Sequence, residues 1–287
     1  MRHLELGERV RVEVRDELDA VGPVAGPALQ RHGLLWPFNA HFHLPIIEHA
    51  AGGTVVTGFG GDELRSSSAS ALAERALVAR RRPKWADILV VGFALSPRVV
   101  RREVQWRRAR AQLAKLPWLT PLGIRRIAAA LASLRSTVPL GWDRRLRQRF
   151  WRDRYFRVCQ ETFAVLGEYH DVTVVHPFVD AHVLDALATA GGFAGFGSAQ
   201  QLMTELFGDL LPEQLVHRRT KGVFTDPLWT PTARSFASQW SGEGVDPQLV
   251  DAAALRQHWL GDARNLLSTT LLQQAWLHDH PQHHAVA

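Results

Sequence analysis

Residues 54–63 read TVVTGFGGDE, and this stretch decides the fold that we expect. The run of β-branched residues at its start is typical of a short buried strand. The glycines that follow allow a tight turn, and the alanine-rich segment over residues 68–82 predicts a helix after it. A strand, a glycine-rich turn and a helix in this order form a phosphate-binding arrangement, because backbone N–H groups can approach an anion there.

Two interpretations of this turn remain open. In the functional one, Asp62 holds Mg²⁺ beside a bound phosphate, since Mg²⁺ prefers a carboxylate together with substrate phosphates. In the structural one, the turn is a tight connection and Asp62 caps the helix. The segment is neither a Walker A loop nor a GxGxxG fingerprint, so the pattern alone does not choose between them.

Two later segments add candidate residues. Residues 173–185 read TVVHPFVDAHVLD, which predicts a strand, a break at Pro177 and a helix capped by Asp180. Residues 210–229 read LLPEQLVHRRTKGVFTDPLW and place Lys221, one of three lysines in the chain, in a short glycine-containing loop. A lysine in such a loop either neutralises phosphate charge in a site or lies solvated on the surface.

Taken in this order, the three segments resemble the synthetase domain of the asparagine synthetase family. The family's SGxGGDE turn corresponds to residues 57–63, its PFLD segment to residues 177–180 and its RxKxxF…P…W segment to residues 219–229. The resemblance extends over roughly residues 20–280. The form of the lysine segment, and Thr173 where many members carry a glutamate, are closer to the lasso-peptide macrolactam synthetases than to asparagine-forming enzymes.

The resemblance implies a fold and an organisation. We expect a helix-rich α/β domain with the partial parallel sheet of an adenine-nucleotide α-hydrolase-like (PP-loop) synthetase, and residues 1–287 as a single asparagine-synthase-like domain. The family's SGGxDS loop and its N-terminal glutaminase domain do not occur in this sequence. We therefore expect a split enzyme in peptide or natural-product biosynthesis, in which a partner chain supplies the missing loop, or else self-association.

The resemblance also implies a reaction. Members use ATP and Mg²⁺ to adenylate a carboxylate, and an amine then attacks the acyl-adenylate to give an amide. Carried over by position, the adenylate-lining residues are Gly58, Phe59, Gly60 and Gly61, the Mg²⁺ ligand is Asp62, and the cation that stabilises the transition state is Lys221. Phe59 stands where the family has Glu or Tyr, so the alternative is a catalytically deficient relative that binds a peptide or protein.

Composition narrows the class of protein. The chain is 46% hydrophobic and 22% charged, as in an ordinary soluble protein. Its longest apolar stretch, residues 88–95, is too short to cross a bilayer, and the N-terminus lacks a signal-peptide pattern. The single cysteine, Cys159, cannot form an internal disulfide. These features predict a cytoplasmic protein without a membrane span.

Charge and histidine patterns leave further alternatives. Residues 75–157 carry 22 basic and 4 acidic side chains, which form either solvated helix faces or a surface for an acidic peptide or partner. Nucleic-acid binding is not expected, because no nucleic-acid motif is visible. We interpret His41 and His43 as a packed or surface pair rather than metal ligands. Residues 241–246 spell SGEGVD, which we interpret as a loop.

Periodicity predicts several more elements. The alternation of valines with charged residues predicts a short strand at residues 10–14. Helical spacing of apolar residues predicts helices at residues 143–166, 199–207, 247–259 and 263–276, with Asp246 as a cap.

Overall fold

The computed structural model describes residues 10–65, 84–217, 226–261 and 266–281. Among the described helices, none combines the length and the apolar character that a membrane crossing requires. In chain order, the α-helices are α1 (Ala25–His32), α2 (Leu44–His49), α3 (Gly61–Arg65), α4 (Trp85–Leu95), α5 (Arg98–Leu113), α6 (Pro121–Arg135), α7 (Trp142–Arg152), α8 (Arg154–Tyr169), α9 (Ala181–Gly191), α10 (Ala199–Phe207), α11 (Glu213–Val216), α12 (Pro231–Gln239), α13 (Ala252–Leu260) and α14 (Thr269–Asp279). Short 3₁₀ helices cover Asp16–Leu18, Ala40–His43, Pro177–Val179, Asp226–Leu228 and Leu266–Ser268.

A small sheet joins two distant parts of the chain. Within the described residues it consists of two parallel strands, β1 (Thr54–Val56) and β2 (Thr173–Val175). Val55 pairs with Val174, and both side chains pack against the larger core. On the opposite face, Val56 is 69% exposed. A helix-rich architecture with a small parallel sheet is compatible with an α/β synthetase domain, and to this extent the predicted fold class is confirmed.

Two hydrophobic cores flank the turn that follows β1. The larger core contains buried side chains from α1, α2, α8, α12, α13 and α14, among them Leu29, Ile47, Phe163, Trp259 and Leu272. The smaller core contains buried side chains from α3, α7, α8, α9 and α10, among them Leu64, Phe150, Phe156, Leu184 and Leu202. Phe59 packs against both cores, so the glycine turn is held at the boundary between them.

Two predicted elements, a strand near the N-terminus and a helix in the middle of the chain, differ from the structure. The strand predicted at residues 10–14 is wrong: these residues are exposed and adopt neither helix nor strand, since no described strand lies beside them to complete a ladder. The helix predicted at residues 143–166 is interrupted at Asp153. The Asp153 carboxylate accepts the N–H of Tyr155 and caps α8, so two helices replace one.

The C-terminal helices begin later than predicted. Helix α13 begins at Ala252 because Asp251, rather than Asp246, is its cap and accepts the N–H of Ala254. Helix α14 likewise begins at Thr269, after the predicted start. The helix predicted at residues 199–207 and the loop predicted at residues 241–246 are confirmed. The helix predicted at residues 68–82 lies outside the described residues.

Candidate active site

The glycine turn after β1 lies directly against the segment after β2. The Thr57 N–H donates to the Val175 carbonyl at 2.9 Å, and the Thr57 hydroxyl lies 2.5 Å from His176 Nδ1. Gly60 has a φ of +91°, and a Cβ placed on it would lie 2.6 Å from Val179 Cγ1. Only glycine fits this position, because both the conformation and the close approach exclude a side chain. Two of the three predicted segments therefore meet.

Backbone donors are available at this turn. The Phe59 N–H donates to the Thr57 hydroxyl at 3.2 Å, and the Gly61 N–H donates to the Gly58 carbonyl at 3.1 Å. Within the described part of the chain, the N–H groups of Gly58 and Gly60 donate no hydrogen bond. A Cβ on Gly58 would meet no heavy atom within 4 Å, so this edge of the turn faces open space. The turn can therefore offer two N–H donors to an anion.

A cavity of about 1000 Å³ opens at the turn. Its polar lining comes from the turn together with Asn39, His43 and Tyr155, and the rest of its lining is apolar. The residues that line it are Pro37, Asn39, His43, Gly58, Phe59, Gly60, Gly61, Asp62, Glu63, Leu64, Tyr155, Phe163, Phe178, Val183, Leu187, Leu202, Met203, Leu206, Phe207 and Leu211. The structure thus brings Gly58, Phe59, Gly60, Gly61 and Asp62 into one cavity.

Two consecutive carboxylates belong to the polar lining of the cavity. Asp62 is exposed and Glu63 is half-buried, and both line the cavity. Among the described residues there is no cluster of three or more side chains that could hold a metal ion. Mg²⁺ needs only one or two protein carboxylates when phosphates and waters complete its shell, so the carboxylates present fit such an ion.

His43 is a site residue that sequence reasoning placed in a packed or surface pair. Its imidazole lines the cavity and packs edge-on against Phe163 at 4.8 Å between ring centroids. Burial lowers the pKa of His43, and the nearby Ala40 carbonyl raises it by a smaller amount. His43 Nδ1 has no hydrogen-bond partner among the described residues, and the ring is neutral near pH 7.

The other members of the histidine group differ in their surroundings. His41 is fully buried, and its Nε2–H donates to the Leu18 carbonyl at 3.0 Å, so the packed interpretation is confirmed for this residue. His176, which no sequence signal marked, contacts Thr57. Burial lowers the pKa of His176, and the charge of His43 lowers it further. Both imidazoles beside the turn are therefore poised as neutral proton acceptors.

Tyr155 is a second site residue without a sequence signal. Its phenol lines the cavity, and burial, with contributions from Cys159 and Glu63, raises its pKa. Burial also raises the pKa of the neighbouring Cys159 to about 11. Both groups are consequently protonated at pH 7, and neither is a base or a thiolate nucleophile there.

The remaining predicted site residues have different outcomes. Phe59 packs its ring against Phe156, Phe163 and His176, with centroid distances of 5.7, 5.7 and 5.3 Å. Its ring therefore packs between the two cores. Lys221 lies outside the described residues.

The described part of the basic middle, residues 84–157, is largely helical. Helices α5 and α6 expose several arginines, including Arg102, Arg125 and Arg126. Arg107 pairs with Glu103 at 2.7 Å on an exposed face, where an ion pair contributes little to stability. Solvated faces and a surface for an acidic partner are both compatible with this arrangement.

Comparison with known families gives one result that bears on this cavity. Residues 41–279 match the family described as asparagine synthase. Comparison with curated proteins and with solved structures gives no match. The matched segment contains both strands, the glycine turn and every cavity residue beyond Asn39, and it supports ATP-dependent amidation as the general activity. Because the match covers most of its length, the chain belongs to the asparagine synthase family.

Proposed function

We propose that this cavity forms an amide bond in two steps, with ATP activating a carboxylate as an acyl-adenylate. One observation carries the proposal. The glycine turn, with the unused N–H groups of Gly58 and Gly60 and the carboxylates of Asp62 and Glu63, opens directly into a large cavity. In a family whose general activity is ATP-dependent amidation, such a turn is suited to the phosphate of an adenylate.

The proposed steps balance as follows. A carboxylate oxygen attacks the α-phosphorus of ATP, the bond from that phosphorus to the leaving oxygen breaks, and pyrophosphate departs. The amine nitrogen then attacks the acyl carbon, AMP leaves, and the nitrogen loses a proton. The N–H groups of Gly58 and Gly60 hydrogen-bond to phosphate oxygens and oppose the negative charge that develops on them.

Two further charges belong to the proposal. Asp62, with Glu63 beside it, would hold Mg²⁺, which supplies charge neutralisation of the phosphates when it is bound. We propose Lys221, which lies outside the described residues, as the cation that stabilises the transition state, because residues 219–229 resemble the family's RxKxxF…P…W segment. We propose His43 as the acceptor of the amine proton, since it is neutral near pH 7 and its Nδ1 has no described partner.

We also propose that a second polypeptide, either another chain or a second copy of this one, covers the outer face of the sheet. The outer face of the sheet supports this, because Val56 is 69% and Val175 is 42% exposed. Parallel sheets are ordinarily covered on both faces. The partner is expected to co-purify with the chain, and a strictly monomeric chain in light scattering, with nothing co-purifying, would contradict the proposal.

The form of the Lys221 segment supports a peptide substrate in natural-product biosynthesis, as in the lasso-peptide macrolactam synthetases that it resembles. A second candidate function is a catalytically deficient subunit that binds a peptide or protein. Phe59 favours it, because a phenyl ring packed against three other rings offers no acid or base at a position where the family usually has a polar group.

Exchange of labelled pyrophosphate into ATP separates these candidates. The full chain, purified with any associated polypeptide, is assayed with a panel of carboxylic acids that includes aspartate, alkyl acids and peptides. The adenylation proposal expects exchange that depends on one acid class and is lost in Asp62→Asn, while Asp209→Asn, an exposed carboxylate outside the cavity, leaves it unchanged. Exchange that survives Asp62→Asn contradicts the proposal, and peptide binding without exchange favours the second candidate.

A further inference from the structure

The cavity has an apolar wall built by α10, a helix that packs against α3 beside the glycine turn. Met203, Leu206 and Phe207 lie on one face of this helix, and Leu211 follows in the turn after it. The spacing of three and four residues puts them side by side. All four are partly exposed, although Leu202 on the same helix is buried in the smaller core. Leu202 also lines the cavity and Leu206 also packs against the smaller core, so α10 joins this core to the cavity.

A second apolar wall comes from α9 and the segment before it. Val183 and Leu187 are one helical turn apart on α9, and both line the cavity. Phe178, which packs against Gly61, completes this wall. The described lining residues that α9, α10 and Phe178 contribute carry no polar side chain.

The size and polarity of the cavity restrict what can occupy it. About 1000 Å³ is at the top of the range for small-molecule sites, so the cavity can hold a nucleotide together with a second group. Aspartate placed against the walls formed by α9 and α10 would find no partner for its ammonium group on these two helices, and burial of an unpaired charge is strongly unfavourable. Adenine there would leave its ring nitrogens unpaired among side chains that offer no donor. An alkyl or aryl group has no such penalty.

We infer that the substrate acid carries an apolar group next to its carboxylate, and that this group lies between α9 and α10 while the adenylate phosphate lies at the glycine turn. The ligand class is therefore an alkyl or aryl carboxylic acid, or a carboxylate flanked by apolar peptide side chains, rather than free aspartate. The inference rests on the proposed function, because it takes the glycine turn as the phosphate end of the ligand.

The test uses stable mimics of the acyl-adenylate that differ only in the acyl group. Calorimetry compares 5′-O-sulfamoyladenosine with its N-acetyl, N-aspartyl and N-octanoyl derivatives on the full chain, with any associated polypeptide. Each buried methylene is expected to tighten binding about fourfold, so the octanoyl compound should bind more than about a hundredfold tighter than the acetyl compound. The aspartyl compound should gain nothing over the parent.

Two variants test whether the α10 wall causes the tighter binding of the octanoyl compound. Leu206→Asn should remove most of the octanoyl gain and leave the parent compound unchanged, whereas Leu210→Asn, the same substitution at an exposed position outside the cavity, should change neither. Met203→Trp provides a second variant, because its larger ring fills the cavity without disturbing the buried core. It should weaken the octanoyl compound and leave the acetyl compound unchanged.

The outcomes distinguish a failure of this inference from a failure of the proposed function. If the parent binds but the octanoyl chain adds nothing, or the aspartyl compound binds tightest, the inference fails and the proposed function stands. If Leu206→Asn weakens binding of the parent compound as much as binding of the octanoyl compound, adenine lies against the α10 wall and the inference fails. If neither the parent nor any derivative binds, the adenylate proposal fails and the inference fails with it.

Discussion

The Thr57 hydroxyl lies 2.5 Å from Nδ1 of His176, although 119 positions separate the two residues in the sequence. This contact joins the ends of β1 and β2 beside the glycine turn. The hydroxyl also accepts the Phe59 N–H at 3.2 Å, so one side chain orients both the turn and the imidazole. The contact makes the protonation of His176 a probe of the site.

His176 should titrate below the ordinary value of histidine. Burial lowers its pKa most, and the charge of the nearby His43 lowers it further. His43→Gln should therefore raise the pKa of His176 without restoring it fully, while His182→Gln, an exposed imidazole on α9, should leave it unchanged. Proton NMR of the imidazole Cε1–H signals measures this directly. A pKa at the ordinary value in the unmodified chain would refute the described environment.

His41 should make the fold sensitive to acid. Burial lowers its pKa from 6.5 to about 4, so between these values the unfolded chain binds a proton that the folded chain does not. The free energy of unfolding should therefore fall as the pH falls from about 6.5 to about 4, by roughly 3 kcal/mol from this group. Urea denaturation at several pH values measures the fall.

Two histidine variants test whether His41 causes this acid sensitivity. His41→Gln should remove a slope of about 1.4 kcal/mol per pH unit across this window, and His182→Gln should retain it. An unchanged slope in His41→Gln would show that other groups cause the acid sensitivity.

Asp19 connects the N-terminal segment to α12, and its loss should destabilise the fold. One carboxylate oxygen accepts the N–H and the hydroxyl of Thr230 and the N–H of Ala233, while the other accepts the N–H of Val21. Asp19→Asn turns an amide NH₂ toward these donors and should lower the free energy of unfolding by about 2–4 kcal/mol. Asp16→Asn, an exposed neighbour, should change it by less than about 0.5 kcal/mol in the same urea titration.

Gly60 and Gly58 should respond differently to the same substitution. Gly60→Ala forces a side chain into a φ of +91° and against Val179, so it should cost about 2–4 kcal/mol of unfolding free energy. Gly58→Ala meets open space and should change stability by less than about 1 kcal/mol. Thermal denaturation of the pair measures the difference. Equal stabilities would contradict the described turn.

Sequence reasoning located the polar end of the site because its signals are local. A β-branched run before glycines predicts a strand and turn, and a strand, proline and aspartate predict the segment after β2. The meeting of Gly60 with Val179 needs the tertiary fold, which pairs β1 with β2. The family resemblance linked these segments, whereas neither pattern alone did so.

Other features could not be predicted for physical reasons. A single histidine such as His43 or His176 looks the same whether it packs or lines a cavity. The apolar face of α10 has the spacing of an ordinary core-facing helix, so periodicity does not show that Met203 and Leu206 line a cavity. The break at Asp153 depends on whether that residue caps a helix or lies within one, and both are compatible with the surrounding apolar pattern.

The central claim is that the glycine turn binds the phosphate end of an adenylate, and calorimetry with 5′-O-sulfamoyladenosine tests it most directly. The unmodified chain, purified with any associated polypeptide, should bind the compound. Gly58→Val should weaken binding about tenfold or more, because its side chain blocks the turn's N–H groups, whereas Gly92→Val, which also meets open space, should bind normally. Equal binding by Gly58→Val and the unmodified chain, or no binding by the unmodified chain, would contradict the claim.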